Sequence, residues 1–312
     1  FYKVWADLYR IPYDTPALDG DFNIIPEDYE KENGGVIFPN PNAPTGIYMP
    51  LEQVEGILKA NQDVVVIVDE AYIDFAGPSA LELIGRYENL LVVQTFSKSR
   101  SMAGMRIGFA IGNQRLIRAL NDVKYSYNSY TMNLTSIVMG AESVRDEAYF
   151  KETTDKIIAT RERAKTRLRE LGFTFPDSRA NFIFASHPCV PACKLFEALK
   201  EEQIYVRYFG GERLCDSLRI SIGSDEEMDV LIKQLLNKNP ETLYIIGSNR
   251  IGSVIPKESA RNSRCREYSG VFMIDEEGDT VIQGGDYLTL SYRGDCGQNY
   301  YFLPKLLNYA KE

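Results

Sequence analysis

The sequence is poor in the residues that most often carry catalysis by themselves. Its 312 residues include one histidine, His187. It precedes Pro188 in a polar stretch and reads as an ordinary surface residue, so a histidine-dependent triad is not expected. The five cysteines, Cys189, Cys193, Cys215, Cys265 and Cys296, are odd in number and lack any C-x-x-C pair, which argues against a disulfide framework and against a zinc site. Basic charge is also short. With 35 Lys and Arg against 44 Asp and Glu, the net charge is -9 and the pI is near 5.0, so general attraction to nucleic acid or an anionic membrane is excluded as a working reading. No apolar run approaches the roughly 20 residues that cross a bilayer, and no basic-then-apolar leader opens the sequence. These absences make a cytoplasmic protein the expectation.

What is present is an ordinary globular composition, 44% hydrophobic, in a chain long enough for about two domains. From residue 34 to 124 short apolar runs alternate with amphipathic ones: "GGVIFPN", "LEQVEGILKA", "DVVVIVDEAY", "ALELIGRY", "LLVVQTFS", "RIGFAIGN" and "QRLIRALNDVK". This pattern predicts an α/β domain with a mainly parallel sheet covered on both faces. Residues 133 to 171 read as long helices closed by Gly172. Beyond them "NFIFAS", "IYVRYF" and "SLRISIG" read as strands around the helix "CKLFEALKEEQ". A last helix, "SDEEMDVLIKQLLNK", opens with Ser224 and Glu227 at capping-box spacing. The expected division is a partial large domain over 1–148, a small α+β domain over 149–238, and a Tyr- and Gly-rich tail module over 239–312.

The stretch "TFSKSRSMAGMRIG", residues 95–108, concentrates the chemistry. Ligands of open α/β sheets collect at the carboxyl ends of strands, and the apolar runs here end in "PNPNAPTG", "DEAY" and "TFSKS". Asp69 follows "VVVIV", where a carboxylate calls for a cationic partner such as a protonated pyridine nitrogen. Tyr72 lies three residues on, within reach of the phenolic oxygen of the same ring. Lys98 suits a Schiff base with its aldehyde. Ser97, Thr95 and Arg106 are donors for a phosphate. Singly, each residue admits a plainer reading: Asp69 as the start of a loop, Tyr72 as core, Lys98 as a rim charge. Asp, then Lys, then Arg eight residues after the Lys, all at strand ends, is far more specific.

Together "NGGVIFPNPNAPTG", "VDEAYIDF", "TFSKSRSMAGMRIGFAIG", "SRANFIFA", "YVRYF" and "LRISIG" resemble the histidinol-phosphate aminotransferases, fold-type-I enzymes dependent on pyridoxal 5'-phosphate (PLP), over residues 1 to about 238. The resemblance implies Lys98 as the Schiff-base lysine, Asp69 on the pyridine nitrogen, and Tyr72 on the ring oxygen. It implies Ser97, Arg106 and Thr95 on the phosphate, and Arg219, Arg207 and Asn181 on the substrate. The family commonly has Asn directly before the Pro-Thr-Gly turn; here Ala43 stands there, and Asn42 takes over the ring-oxygen contact. The resemblance further implies transamination between histidinol phosphate and 2-oxoglutarate in histidine biosynthesis, no metal, and a homodimer. It also implies that about the first third of the usual enzyme is missing. An aromatic amino acid aminotransferase or a threonine-phosphate decarboxylase is the alternative within the family. A catalytically inactive fragment with a ligand-binding tail is the alternative outside it. That tail, "YIIGSNRIGSVIP" and "GGDYLTLSYRGDCGQNYYFLPKLLNYAKE", resembles part of a MerR-type effector-binding domain. Its Tyr287, Tyr292, Tyr300 and Tyr301 read as core or as the lining of an apolar pocket.

Overall fold

The computed structural model describes residues 2–238 and the backbone of two further strands, Val271–Ile274 and Thr280–Gln283. These two strands pair antiparallel. The first matches the expected strand "GVFMID"; the rest of the tail expected to resemble an effector-binding domain, with its four tyrosines, lies outside the described residues. The chain divides into two units, one of Phe1–Ala159 with Pro176–Ile183 and one of Thr160–Phe175 with Phe184–Glu312.

The first unit is built on a four-stranded sheet of β1 (Val36–Pro39), β2 (Val66–Asp69), β3 (Leu90–Thr95) and β4 (Gly108–Gly112), in that order. β1, β2 and β3 run parallel in register, Pro39 beside Asp69 and Asp69 beside Val93, so that their carboxyl ends form one rim. β4 is antiparallel to β3, with Gly108 beside Thr95. The stretch from Lys98 to Arg106 therefore folds back on the rim instead of crossing over. The apolar periodicity does its work on one face: Val36, Phe38, Val66, Val68, Leu90 and Val92 pack with Val54, Ile57 and Leu58 of α2 (Leu51–Ala60). Each such buried side chain contributes about 1.5–3 kcal/mol of apolar transfer. The expectation of a sheet covered on both faces needs correction. The second face is covered only in part: Leu91 is buried, whereas Ile37 of β1 and Phe109 and Ile111 of β4 remain 40%, 39% and 37% exposed, and α3 (Gln114–Tyr127) buries no residue. "ALELIGRY" also falls short of a helix. It makes only a 3-10 turn, Ala80–Leu83, capped by Ser79, ahead of Gly85, a poor helix former. A helix the periodicity did not suggest, α1 (Tyr2–Tyr9), opens the chain.

The long helices appear as α4 (Leu134–Arg145) and α5 (Glu147–Glu170), followed by Gly172 at φ +83°. In the second unit β6 (Arg207–Tyr208) pairs antiparallel with β7 (Ser217–Ser221), and β5 (Phe182–Ser186) completes a three-stranded sheet in the order β5-β7-β6. α6 (Ala192–Glu201) buries Ala192, Leu195 and Leu199, and α7 (Asp225–Lys238) buries Met228, Leu231, Ile232 and Leu235. The capping box closes as the spacing predicts: the Glu227 N–H donates to Ser224 Oγ at 3.2 Å and the Ser224 N–H donates to Glu227 Oε2 at 2.8 Å. His187 is not the surface residue expected. It is half-buried, its ring meets Phe173 edge-on at 4.9 Å, and Nδ1 accepts from the Cys189 N–H. Nε2 then carries the proton and donates to the Leu171 carbonyl.

Candidate active site

At the rim of the first unit, the sequence supplies three loops that would splay apart without braces. The turn after β1 is held by Asn40, which is buried: its amide donates to Met49 O at 3.0 Å and accepts from Met49 N–H at 2.8 Å. Gly46 closes that turn at φ +78°, where a Cβ would lie 2.2 Å from Ser178 Oγ. Only glycine meets both demands. Asn42 is half-buried within the turn, and its amide donates to Thr45 Oγ1 at 3.0 Å.

The second loop carries Asp69 and Tyr72. Asp69 ends β2 with its carboxylate half-buried. Oδ1 accepts from the Ala71 N–H at 3.1 Å, and Oδ2 accepts from the phenol of Tyr2 at 2.6 Å. Its neighbour Glu70 turns the other way and is buried, accepting from Ser79 Oγ at 2.5 Å, Ala80 N–H at 2.7 Å and Gln94 Nε2 at 2.8 Å. Burial pushes the Glu70 carboxyl above the ordinary glutamate range, and the three donors oppose that shift. The adjacent acids thus divide the labour: Glu70 binds the loop to the core, and Asp69 faces the rim. Tyr72 packs its ring edge-on against Phe182 at 5.0 Å.

The third loop carries Lys98, whose Nζ lies 5.4 Å from the centroid of the Tyr72 ring. Ser97 is drawn toward β3, its N–H donating to Thr95 Oγ1 at 3.1 Å while the Thr95 hydroxyl lies 3.0 Å from Ser97 Oγ. Ser99 is buried and donates to Asp74, tying the lysine loop to the turn beyond Tyr72. Ser101 and Arg106 both adopt left-handed backbone, φ 54° and 56°. For non-glycine residues this is uncommon and marks a loop whose shape the surroundings impose. Arg106 is exposed, with Nη1 donating to Ala103 O at 2.8 Å.

The structure therefore gathers Asp69, Tyr72, Thr95, Ser97 and Lys98 onto one rim, with Asn42 and Arg106 in the flanking turns. The half-buried Asn181 directly precedes β5. In the second unit Arg207 and Arg219 stand opposite each other on β6 and β7, both with guanidinium groups over the Phe209 ring, at 5.5 and 5.6 Å. Sequence reasoning missed Tyr2, Glu70 and the Ser99–Asp74 tie. Glu70 was visible only as the second acid of "DEAY", and Tyr2 carried no local signal, because its partner is 67 residues away.

The pattern of a class I and II aminotransferase model matches residues 5–235. The chain belongs to the class I and II aminotransferase family. Among its relatives is the histidinol-phosphate aminotransferase of Brachyspira hyodysenteriae, 49% identical over 236 residues that make up 75% of this chain and 67% of that protein. Among solved structures, the histidinol-phosphate aminotransferase of Clostridium acetobutylicum is similar at TM-score 0.71 and 25% identity, over 76% of this chain and 74% of that one. The Sinorhizobium meliloti histidinol-phosphate aminotransferase, solved in complex with pyridoxal-5'-phosphate, is similar at TM-score 0.57 and 26% identity, over 68% and 58%. The residues of this rim fit that cofactor. They comprise one carboxylate with acceptor capacity left for a ring N–H, a phenol, an amine beside it, and hydroxyl and guanidinium donors suited to a phosphate.

Proposed function

We propose that this aminotransferase-family chain moves the amino group of histidinol phosphate to 2-oxoglutarate with PLP as cofactor, as a cytoplasmic homodimer. Residues 1–148 form its cofactor domain and 149–238 its small domain. The observation that carries the reading is that Asp69 ends β2 and Lys98 follows the end of the neighbouring strand β3, with the Lys98 amine over Tyr72. The histidinol-phosphate aminotransferases among its relatives support the choice of substrate.

In this reading Asp69 holds the ring nitrogen, Tyr72 and Asn42 the ring oxygen, and Ser97 and Arg106 the phosphate, with Thr95 backing Ser97. When bound, PLP supplies an electron sink for the carbanion at the substrate carbon. Lys98 would hold the cofactor aldehyde, and its amine would carry a proton between the substrate carbon and the cofactor's aldehyde carbon. Asp69 keeps a proton on the ring nitrogen by opposing its charge. Arg207, Arg219 and Asn181 bind the acidic ends of the substrates: a phosphate on the amino donor, the carboxylates on the oxo acid.

The test is the visible spectrum of the chain with PLP, before and after borohydride, beside Lys98→Ala. A visible band that borohydride bleaches while fixing the cofactor covalently to the wild type, and that the variant lacks, is expected. Without it the reading fails. Donor assays then set a phosphorylated imidazole amino alcohol against phenylalanine, and preference for phenylalanine overturns the substrate assignment.

A further inference from the structure

α1 is a short helix that shows its apolar side chains to solvent: Val4, Trp5, Leu8 and Tyr9 are between 54% and 66% exposed, and none of its residues is fully buried. Tyr2 behaves differently. It is half-buried, and its phenol reaches 67 residues along the chain to Asp69 Oδ2 at 2.6 Å, a short distance for a hydroxyl donating to a charged oxygen. Burial and the facing carboxylate push the Tyr2 phenol well above the ordinary tyrosine value, so it remains a donor throughout the neutral range.

The carboxylate of Asp69 is thereby gripped at both oxygens, from the Ala71 N–H on Oδ1 and from Tyr2 on Oδ2. Two fixed donors set the plane of the carboxylate, and an ionised carboxylate offers about four lone-pair sites, so acceptor capacity remains for a third partner. An ion pair to a planar ring N–H depends on that orientation, as ligating groups elsewhere depend on the partners that hold them. Neither donor is an acid or a base in the neutral range, so the grip aligns Asp69 without competing for a proton.

We propose that Tyr2 is a positioning residue for the cofactor: through its hydrogen bond to Oδ2 it orients the Asp69 carboxylate toward the ring nitrogen. The inference rests on the assignment of Asp69 to that nitrogen. It adds a residue from the first helix to a site otherwise built from strand ends.

The experiment is a double-mutant cycle with PLP as probe on the full chain: wild type, Tyr2→Phe, Asp69→Asn and the double variant. Each is followed by PLP dissociation constant and by the visible band of bound PLP, with circular dichroism confirming the fold. In the wild-type background Tyr2→Phe weakens PLP about tenfold, the size of one hydrogen bond to a charged group, and moves the band. In the Asp69→Asn background the same substitution changes affinity by less than about twofold. An equal loss in both backgrounds, including a loss through unfolding, overturns the proposal, because Tyr2 then acts by packing. Wild-type uptake of PLP with Tyr2→Phe indistinguishable from it overturns the proposal alone. Failure of the wild type to bind PLP overturns the Asp69 assignment, and this inference falls with it.

Discussion

The two sheets place their polar residues by different means. On the four-stranded sheet Asp69 is the last paired residue of β2, and Ser97 and Lys98 lie just beyond the end of β3, outside the ladder of backbone hydrogen bonds. Their positions depend on braces such as Glu70, Asn40 and the Ser99–Asp74 tie. On the three-stranded sheet Arg207 and Arg219 lie within paired strands, and register alone sets them side by side over Phe209. Loop-borne groups can approach a ligand from several directions but need support from afar. Strand-borne groups need little support and hold one spacing.

The sharpest way to break this contrast is at Glu70. Glu70→Ala leaves three donors unmet and costs about 3 kcal/mol of stability, with loss of PLP uptake, read by denaturant unfolding and cofactor titration. Glu70→Gln separates packing from charge. The folded protein holds the Glu70 proton more tightly than the unfolded chain does. Its contribution is therefore complete below the ordinary glutamate range and is lost as pH climbs through the raised value. Unfolding free energies from about pH 4 to about pH 8 should shift in favour of Glu70→Gln as pH rises. A shift in favour of the wild type as pH rises refutes the burial-driven shift.

The arginine pair answers the other half of the comparison. Arg219→Ala should raise KM for a phosphorylated amino donor about 30-fold with kcat little changed, and the more exposed Arg207→Ala should raise it less. Both variants should melt with the wild type, because the pairing of β6 with β7 runs through the backbone. Equal losses in stability and in KM would mean that these residues brace the sheet as Glu70 braces its loop.

Smaller effects test the local rules. Gly46→Ala should destabilise the chain by about 2 kcal/mol, since it needs left-handed backbone and meets Ser178. Ser224→Ala removes one arm of the capping box and should cost about 1 kcal/mol by thermal unfolding, with PLP uptake untouched.

Much of the framework was legible from order and spacing. β1, β2, β3, α2 and α7 fall where apolar periodicity put them, and the capping box of α7 needed only two residues three apart. Less legible were features settled by what a segment meets. β4 read as one more apolar run, and only pairing with β3 made it antiparallel. "ALELIGRY" has helical spacing but yields a 3-10 turn, anchored at Ser79 and Ala80 by the Glu70 carboxylate. His187 looked like a loop residue because the ring that holds it, Phe173, lies outside its local sequence.

By itself the sequence determined which chemical groups are available and that they follow strands: an acid after "VVVIV", an amine after "LLVVQTFS", a guanidinium eight residues later. Local spacing decides these things, since strand and turn formation act over a few residues. Tertiary structure alone decided that β2 and β3 lie side by side, so that Asp69 and Lys98 share a rim. It also decided that Glu70 turns inward where Asp69 does not, and that a phenol from the first helix rests on the Asp69 carboxylate. Those outcomes follow from contacts between residues far apart in the chain, which no local pattern encodes.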